Sequence, residues 1–169
     1  MDALFRAALE KRQGGAVVIA GSDSDRAQVE KICASLQEFG IPHEVRICSA
    51  HKEPERLLRL LEEYESLGVP LAYVTVAGGT DALSGTASYH TLNPVISCPP
   101  DPANDSCLRN PPGSANAVIL NPRNVGVFVA QLYCAFNPGC GTRLKESRQA
   151  KRGELEARDR ELRERYRSV

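Results

Sequence analysis

The feature that most constrains this chain is an alternation of short β-branched runs with stretches of helical spacing, in which each run ends in a small polar loop. Val17-Val18-Ile19-Ala20 runs into Gly21-Ser22-Asp23-Ser24-Asp25. Arg26 to Phe39 then carries Val29, Ile32, Cys33, Leu36 and Phe39 at helical spacing and stops at Gly40. Pro42 to Cys48 alternates as a second strand and opens onto Ser49-Ala50-His51-Lys52-Glu53-Pro54; a helix over 55–67 follows, repeating Leu57, Leu58, Leu60, Leu61 and Tyr64. A third strand, Leu71 to Ala77, opens onto Gly78-Gly79-Thr80-Asp81 and a short helix over 82–90. Two further strands are expected over 94–97 and 117–120. Repeated strand-helix units predict an α/β fold, with a parallel sheet covered by helices on both faces.

The other segments fit around that frame. A short helix over 2–12 is set off from the first strand by Gly14-Gly15. Cys98 to Gly113, rich in Pro, Asp and Asn, is long for a connection in a compact domain, and such loops tend to be functional or mobile. Asn124 to Tyr133 leaves little polar face and reads as a helix buried on most sides. Arg143 to Arg167 is a charged helix whose few apolar positions, Leu144, Leu155, Leu162 and Tyr166, cannot form a core alone, so it projects into solvent or packs on another subunit. A length of 169 residues suits one domain over 1–169, with a core over 16–133, the N-terminal helix over 2–12 and a C-terminal extension over 143–167.

Lys plus Arg and Asp plus Glu each total 21, so no net field draws the chain to nucleic acid or to an anionic membrane. No apolar run approaches the ~20 residues that cross a bilayer, and the first dozen residues lack a signal-peptide core, which points to the cytoplasm. The six cysteines have no close zinc-ligand spacing and read as free thiols. Cys33 and Cys134, in helical patterns, are expected as small buried apolar residues. Cys98 and Cys107 stand apart, because the Arg109 guanidinium near Cys107 favours a thiolate.

The chemistry concentrates at three strand ends, the natural mouth of an open α/β sheet. At Gly21 to Asp25, backbone N–H groups and serine hydroxyls at a helix start suit an anion, and an aspartate suits sugar hydroxyls; an ordinary helix cap uses the same residues. The spacing is neither a G-x-G-x-x-G nor a P-loop. His51 is the only one of three histidines set among small and charged polar residues at a strand end, where an imidazole can move protons near neutral pH. The plainer reading is a surface or capping histidine, and His43 and His90 keep it. Lys52 suits a phosphate, although a lysine before a helix is usually just solvated. Gly78-Gly79 allows close backbone approach to a ligand or simply a tight turn.

Taken in order, Gly21-Ser22-Asp23-Ser24-Asp25, Ser49-Ala50-His51-Lys52, Ala77-Gly78-Gly79-Thr80-Asp81-Ala82-Leu83-Ser84-Gly85 and Pro94-Val95-Ile96-Ser97-Cys98-Pro99-Pro100 resemble the phosphoribosylaminoimidazole carboxylase family of purine biosynthesis over about Ala16 to Tyr133. The resemblance implies a flavodoxin-like three-layer α/β/α sandwich in a homo-oligomer of four or eight subunits, with active sites near subunit contacts. It implies no metal and no organic cofactor, and a small-molecule ribotide and carbon dioxide as ligands. By position, His51 would be the catalytic proton-transfer residue. Ser22 and Asp25 would hold ribose and phosphate, Ser49 and Lys52 the phosphate region, and Gly78 and Thr80 the remaining ligand edge.

The family has a mutase branch, acting on the N5-carboxylated ribotide, and a branch that uses dissolved carbon dioxide. Lys52, Ser84 and Cys98-Pro99-Pro100 resemble the second. That branch usually shows Ala-Gly-Arg-Ser-Asn in its glycine-rich loop, whereas this chain has Gly79 for the arginine and Asp81 for the asparagine. A cation is lost and an anion gained, which beside a phosphorylated ligand would weaken binding. Residues 100–108 also form a shorter loop than usual, and Pro112 replaces a serine. The expected activity is carboxylation of 5-aminoimidazole ribonucleotide at C4; the alternatives are the mutase reaction and a divergent paralogue that acts on, or merely binds, another ribotide.

Overall fold

The structure, a computed structural model, describes residues 1–167. Its centre is a sheet of five parallel strands, β1 (Gly15–Ala20), β2 (His43–Ile47), β3 (Leu71–Val76), β4 (Val95–Ser97) and β5 (Ala117–Val118), in the order β2-β1-β3-β4-β5. Six helices surround it: α1 (Ala3–Leu9), α2 (Arg26–Glu38), α3 (Pro54–Glu65), α4 (Leu83–His90), α5 (Val125–Tyr133) and α6 (Pro138–Arg165). This strand order is the flavodoxin-like doubly wound arrangement.

The apolar runs explain which strands lie inside. Every residue of β1 and β3 is buried, as continuous apolar strands require when both sheet faces are covered. Alternate residues of β1 serve different layers. Ala16, Val18 and Ala20 pack with Ile32 and Leu36 of α2 and Val129 of α5, while Val17 and Ile19 pack with Leu57, Leu61 and Tyr64 of α3 and Phe5 of α1. The edge strand β2 leaves Val45 and Ile47 exposed.

Helices α2 and α5 touch through small residues. A Cβ on Gly126 would lie 2.1 Å from the Ser35 carbonyl oxygen. Ser35 Oγ also accepts the Gly126 N–H at 2.9 Å and donates to the Arg123 carbonyl at 2.8 Å, so this buried hydroxyl satisfies backbone groups at the start of α5.

Several boundaries differ from the sequence reading. The first helix covers only Ala3–Leu9: Asp2 caps its start through Leu4 N–H and Phe5 N–H, and Arg12 and Gly14 take positive φ beyond its end. Gly15 is the first residue of β1 rather than part of a separator. The last helix starts at Pro138, five positions before the expected Arg143, because Asn137 accepts the Gly139 N–H and Pro138 occupies the first turn, where its missing N–H costs nothing. The glycines there read as a break but begin a helix. Beyond Leu144 nearly all of α6 is exposed. Helix α5 is less enclosed than expected, since Gln131 and Leu132 face solvent, and Cys134, expected to be buried, is exposed. Among the described residues no helix is long and apolar enough to cross a membrane.

Candidate active site

The carboxyl ends of β1, β2 and β3 bring the three polar loops to one cleft of about 190 Å³, beside the point where the strand order reverses. Its walls hold Ser22, Ser24 and Asp25 from the first loop, Ser49 and His51 from the second, and Gly78 and Thr80 from the third. Six of the seven residues expected at the site therefore meet there. Lys52 does not: it is exposed, and no Lys or Arg among the described residues lines the cleft. Its N–H lies 3.4 Å from Ser49 Oγ, and Glu53 N–H donates to the Ser49 carbonyl at 2.8 Å, a tight turn that leaves the Lys52 side chain in solvent.

The first loop is a short 3-10 turn, Asp23–Asp25, capped by Ser22. Ser22 Oγ accepts from Ser24 N–H at 3.3 Å and from Ser24 Oγ at 3.0 Å. Asp23 turns outward to pair with Arg26 at 2.7 Å. Asp25 is 7% exposed and lines the cleft. Burial pushes its carboxyl above the ordinary carboxylate range, with a backbone hydrogen bond at Ser22 partly opposing the shift. A carboxyl of this kind at a cleft wall is suited to accept from ligand hydroxyls.

The third loop is built differently. Gly79 has φ of +63°, in the left-handed region that favours glycine, and nothing lies within 4 Å of where its Cβ would be. Asp81, expected to present an anion to the ligand, instead points into the protein and is 5% exposed. One of its oxygens accepts the Ser84 N–H at 2.9 Å and caps α4, while the other accepts from Ser97 Oγ of β4 at 3.0 Å. Its own N–H donates to Ser106 Oγ at 2.8 Å.

Ser106 belongs to the long connection between β4 and β5, which runs back over the third loop as a strap. Ser106 Oγ donates to Asn104 Oδ1 at 2.6 Å, and Asn104 Nδ2 donates to the Ala77 carbonyl at 3.3 Å. Further along, Asn110 packs where a Cβ on Gly85 would meet its Oδ1 at 2.6 Å. The strap is thus pinned at both ends of the glycine-rich segment. The sequence marks this connection as functional or mobile without singling out Asn104 or Ser106, because a hydroxyl and an amide in a polar loop carry no spacing signal. Ser24 also lines the cleft, and nothing in the spacing of the first loop distinguishes it from its neighbours.

Cys98, which stood apart in the sequence, does not bear out a thiolate. Cys98 is buried against Gln28, whose Nε2 donates to its Sγ at 3.4 Å, and burial pushes its thiol up to about 11. Arg109 is drawn to Asp105 at 2.5 Å, and Cys107 Sγ faces the Asn104 carbonyl at 3.8 Å. Among the described residues no group of three or more His, Cys, Asp or Glu could hold a metal ion.

Comparison with known proteins agrees with the fold. The crystal structure of Treponema denticola PurE superposes with a TM-score of 0.83 at 32% identity, covering 88% of this chain and 98% of that one. A phosphoribosylaminoimidazole carboxylase of Archaeoglobus fulgidus is 38% identical over 154 residues, 88% of this chain and 84% of that protein. The bifunctional phosphoribosylaminoimidazole carboxylase/phosphoribosylaminoimidazole succinocarboxamide synthetase of Rattus norvegicus is 39% identical over 154 residues, 88% of this chain. The chain spans little more than a third of that protein's length, 36%. A family profile described as AIR carboxylase matches residues 16–154, the sheet, both of its helical layers and the three loops of the cleft, and on that span the chain belongs to the AIR carboxylase family.

Proposed function

We propose that the chain carboxylates 5-aminoimidazole ribonucleotide at C4 with carbon dioxide, a step of purine biosynthesis, at the cleft between the first three strands. The observation that carries this reading is the convergence of His51, Asp25, Ser22, Ser49, Gly78 and Thr80 on one cleft, from loops far apart in sequence, in a chain similar to phosphoribosylaminoimidazole carboxylases. The aminoimidazole is an electron-rich enamine. Its C4 attacks carbon dioxide, and the adduct loses its C4 hydrogen to regain aromaticity. His51, on the cleft wall, is assigned as the base that takes that proton.

Asp25 and Ser22 accept from and donate to the ribose hydroxyls. Serine hydroxyls and backbone N–H groups of the first two loops hold the phosphate, which fits the lack of a cation among the cleft's lining residues. Lys52, proposed from the sequence for the same phosphate, reaches it only from the rim. Beyond these contacts the work is positioning, with water kept from the reacting carbon. The cleft is small beside the roughly 300 Å³ or more of an ordinary ligand pocket, which suits completion of the site by a neighbouring subunit. The reading therefore extends to a homo-oligomer acting in the cytoplasm, and exposed Val45, Ile47, Leu155 and Leu162 offer apolar surface for subunit contacts.

The test is turnover of aminoimidazole ribotide, followed by its ultraviolet absorbance with added bicarbonate and without ATP. The parent protein is expected to be active, and His51→Asn to lose about 10²-fold or more in kcat with ribotide binding retained. Full activity in the variant removes His51 from its role. Turnover of the N5-carboxylated ribotide alone, with none from carbon dioxide, assigns the mutase reaction instead.

A further inference from the structure

We propose that Asp81 is a positioning residue that sets substrate affinity by fastening the strap over residues 98–113 to the glycine-rich turn. The inference rests on the proposed reaction for its kinetic arm only. Asp81 is joined to three separate elements. Its carboxylate accepts from Ser84 N–H of α4 and Ser97 Oγ of β4, and its N–H donates to Ser106 of the strap. From Ser106 the chain of bonds continues through Asn104 to the carbonyl of Ala77, the residue just before Gly78. The bonds therefore close a ring, from Ala77 along the turn to the backbone N–H of Asp81, across to the strap and back, while the Asp81 carboxylate, outside the ring, fixes that N–H in place through Ser84 and Ser97. Gly78 and Thr80, which line the cleft, lie within that ring. On its far side the strap is also held by Gln28, whose Nε2 donates to the Pro99 carbonyl at 3.1 Å, and Pro100 lies 3.6 Å from where a Cβ on Gly78 would stand.

The two carboxylate bonds outside the ring explain how an acid is accommodated beside an anionic ligand. Both carboxylate oxygens are taken by protein donors, and the residue is buried, so its charge faces serine and backbone rather than the cleft. Asparagine reproduces half of this pattern directly, its oxygen accepting from Ser84 N–H. The Ser97 hydroxyl can then turn to accept from the amide. Alanine reproduces neither carboxylate bond and keeps only the backbone N–H to Ser106, so it loosens the ring by freeing the position of that N–H. Because Asp81 touches no reacting atom, its loss is expected in KM rather than in kcat.

The experiment compares Asp81→Ala, Asp81→Asn and Ser106→Ala with the parent, by steady-state kinetics with the ribotide and by amide hydrogen exchange without ligand. Ser106→Ala cuts the strap side of the ring while leaving the buried carboxylate untouched, so it serves if Asp81→Ala fails to fold. The expected result is a KM raised about tenfold in Asp81→Ala and Ser106→Ala, with kcat within a factor of two or three and most of the KM effect rescued in Asp81→Asn. Exchange should quicken about tenfold over residues 78–82 and 104–108, with protection of β1 and β3 unchanged. Equal loss of protection throughout the sheet, or unchanged exchange at the strap, overturns the proposal. So does a loss confined to kcat. A parent protein that neither binds nor turns over the ribotide overturns the proposed reaction instead, and the exchange result then decides the role of Asp81 by itself.

Discussion

Asp25 and Asp81 stand at the ends of neighbouring parallel strands, β1 and β3, each just before a helix, and are almost equally buried at 7% and 5% exposed. They do opposite work. Asp25 lines the cleft and carries an ionisation that burial makes costly, while Asp81 spends both oxygens inside the protein. The difference lies in what donors the surrounding elements supply. Ser97 and the first turn of α4 converge on Asp81, whereas the 3-10 turn around Asp25 has its Ser22 hydroxyl already taken by Ser24. Residue type and burial alone do not tell a cleft-facing acid from a structural one; the donors around it do.

The sharpest way to test the contrast is to remove the charge at each position. Asp25→Asn is expected to weaken ribotide binding about 10- to 100-fold, the worth of a hydrogen bond to a charged group, measured by calorimetry. Asp81→Asn is expected to cost far less. Equal losses at the two positions break the comparison.

A second contrast is in stability against pH. The folded carboxyl of Asp25 is raised, so its contribution favours the folded state below the ordinary carboxylate range and is lost as pH rises through the raised value. Asp25→Asn should therefore match the parent in urea unfolding near pH 3 and exceed it at pH 7. A variant less stable than the parent at pH 7 would mean that the carboxylate has a favourable partner in the folded protein.

The smallest effect is expected at Gly79→Arg. The side chain has room, but the left-handed backbone costs a non-glycine residue roughly 1–2 kcal/mol, a fall in Tm of about 2–8 °C for a chain of this size. An unchanged Tm would show that the turn gives up its left-handed conformation without cost.

Much of this was legible in the sequence because the physics was local. Continuous apolar runs marked β1 and β3, periodic leucines marked α3, and the three polar loops announced the cleft, since strand ends in an open α/β sheet share one side. Lys52 stands outside the cleft lining although its neighbour His51 reaches it, because a tight turn separates the two directions in a way that spacing does not encode. The inward turn of Asp81 is hidden from spacing for a related reason. Its partners Ser97 and Ser106 come from elements brought together only by the fold. The early start of α6 was missed because Pro138, Gly139 and Gly141 are breakers in mid-helix but fit a first turn capped by Asn137.

The order of strands also has a kinetic meaning. β1 lies between β2, which follows it closely, and β3, which pairs with it residue for residue from Gly15 with Leu71 to Ala20 with Val76, across a long intervening stretch. A growing or refolding chain can join β1 to β2 by closing a short loop, but the wall formed by Gly78 and Thr80 arrives only after the costlier long-range closure that docks β3. No early intermediate can own the cleft. Ribotide binding during refolding would accordingly rise with the docking of β3 on β1 rather than with the first helical signal, making the ligand itself a clock for that long-range closure.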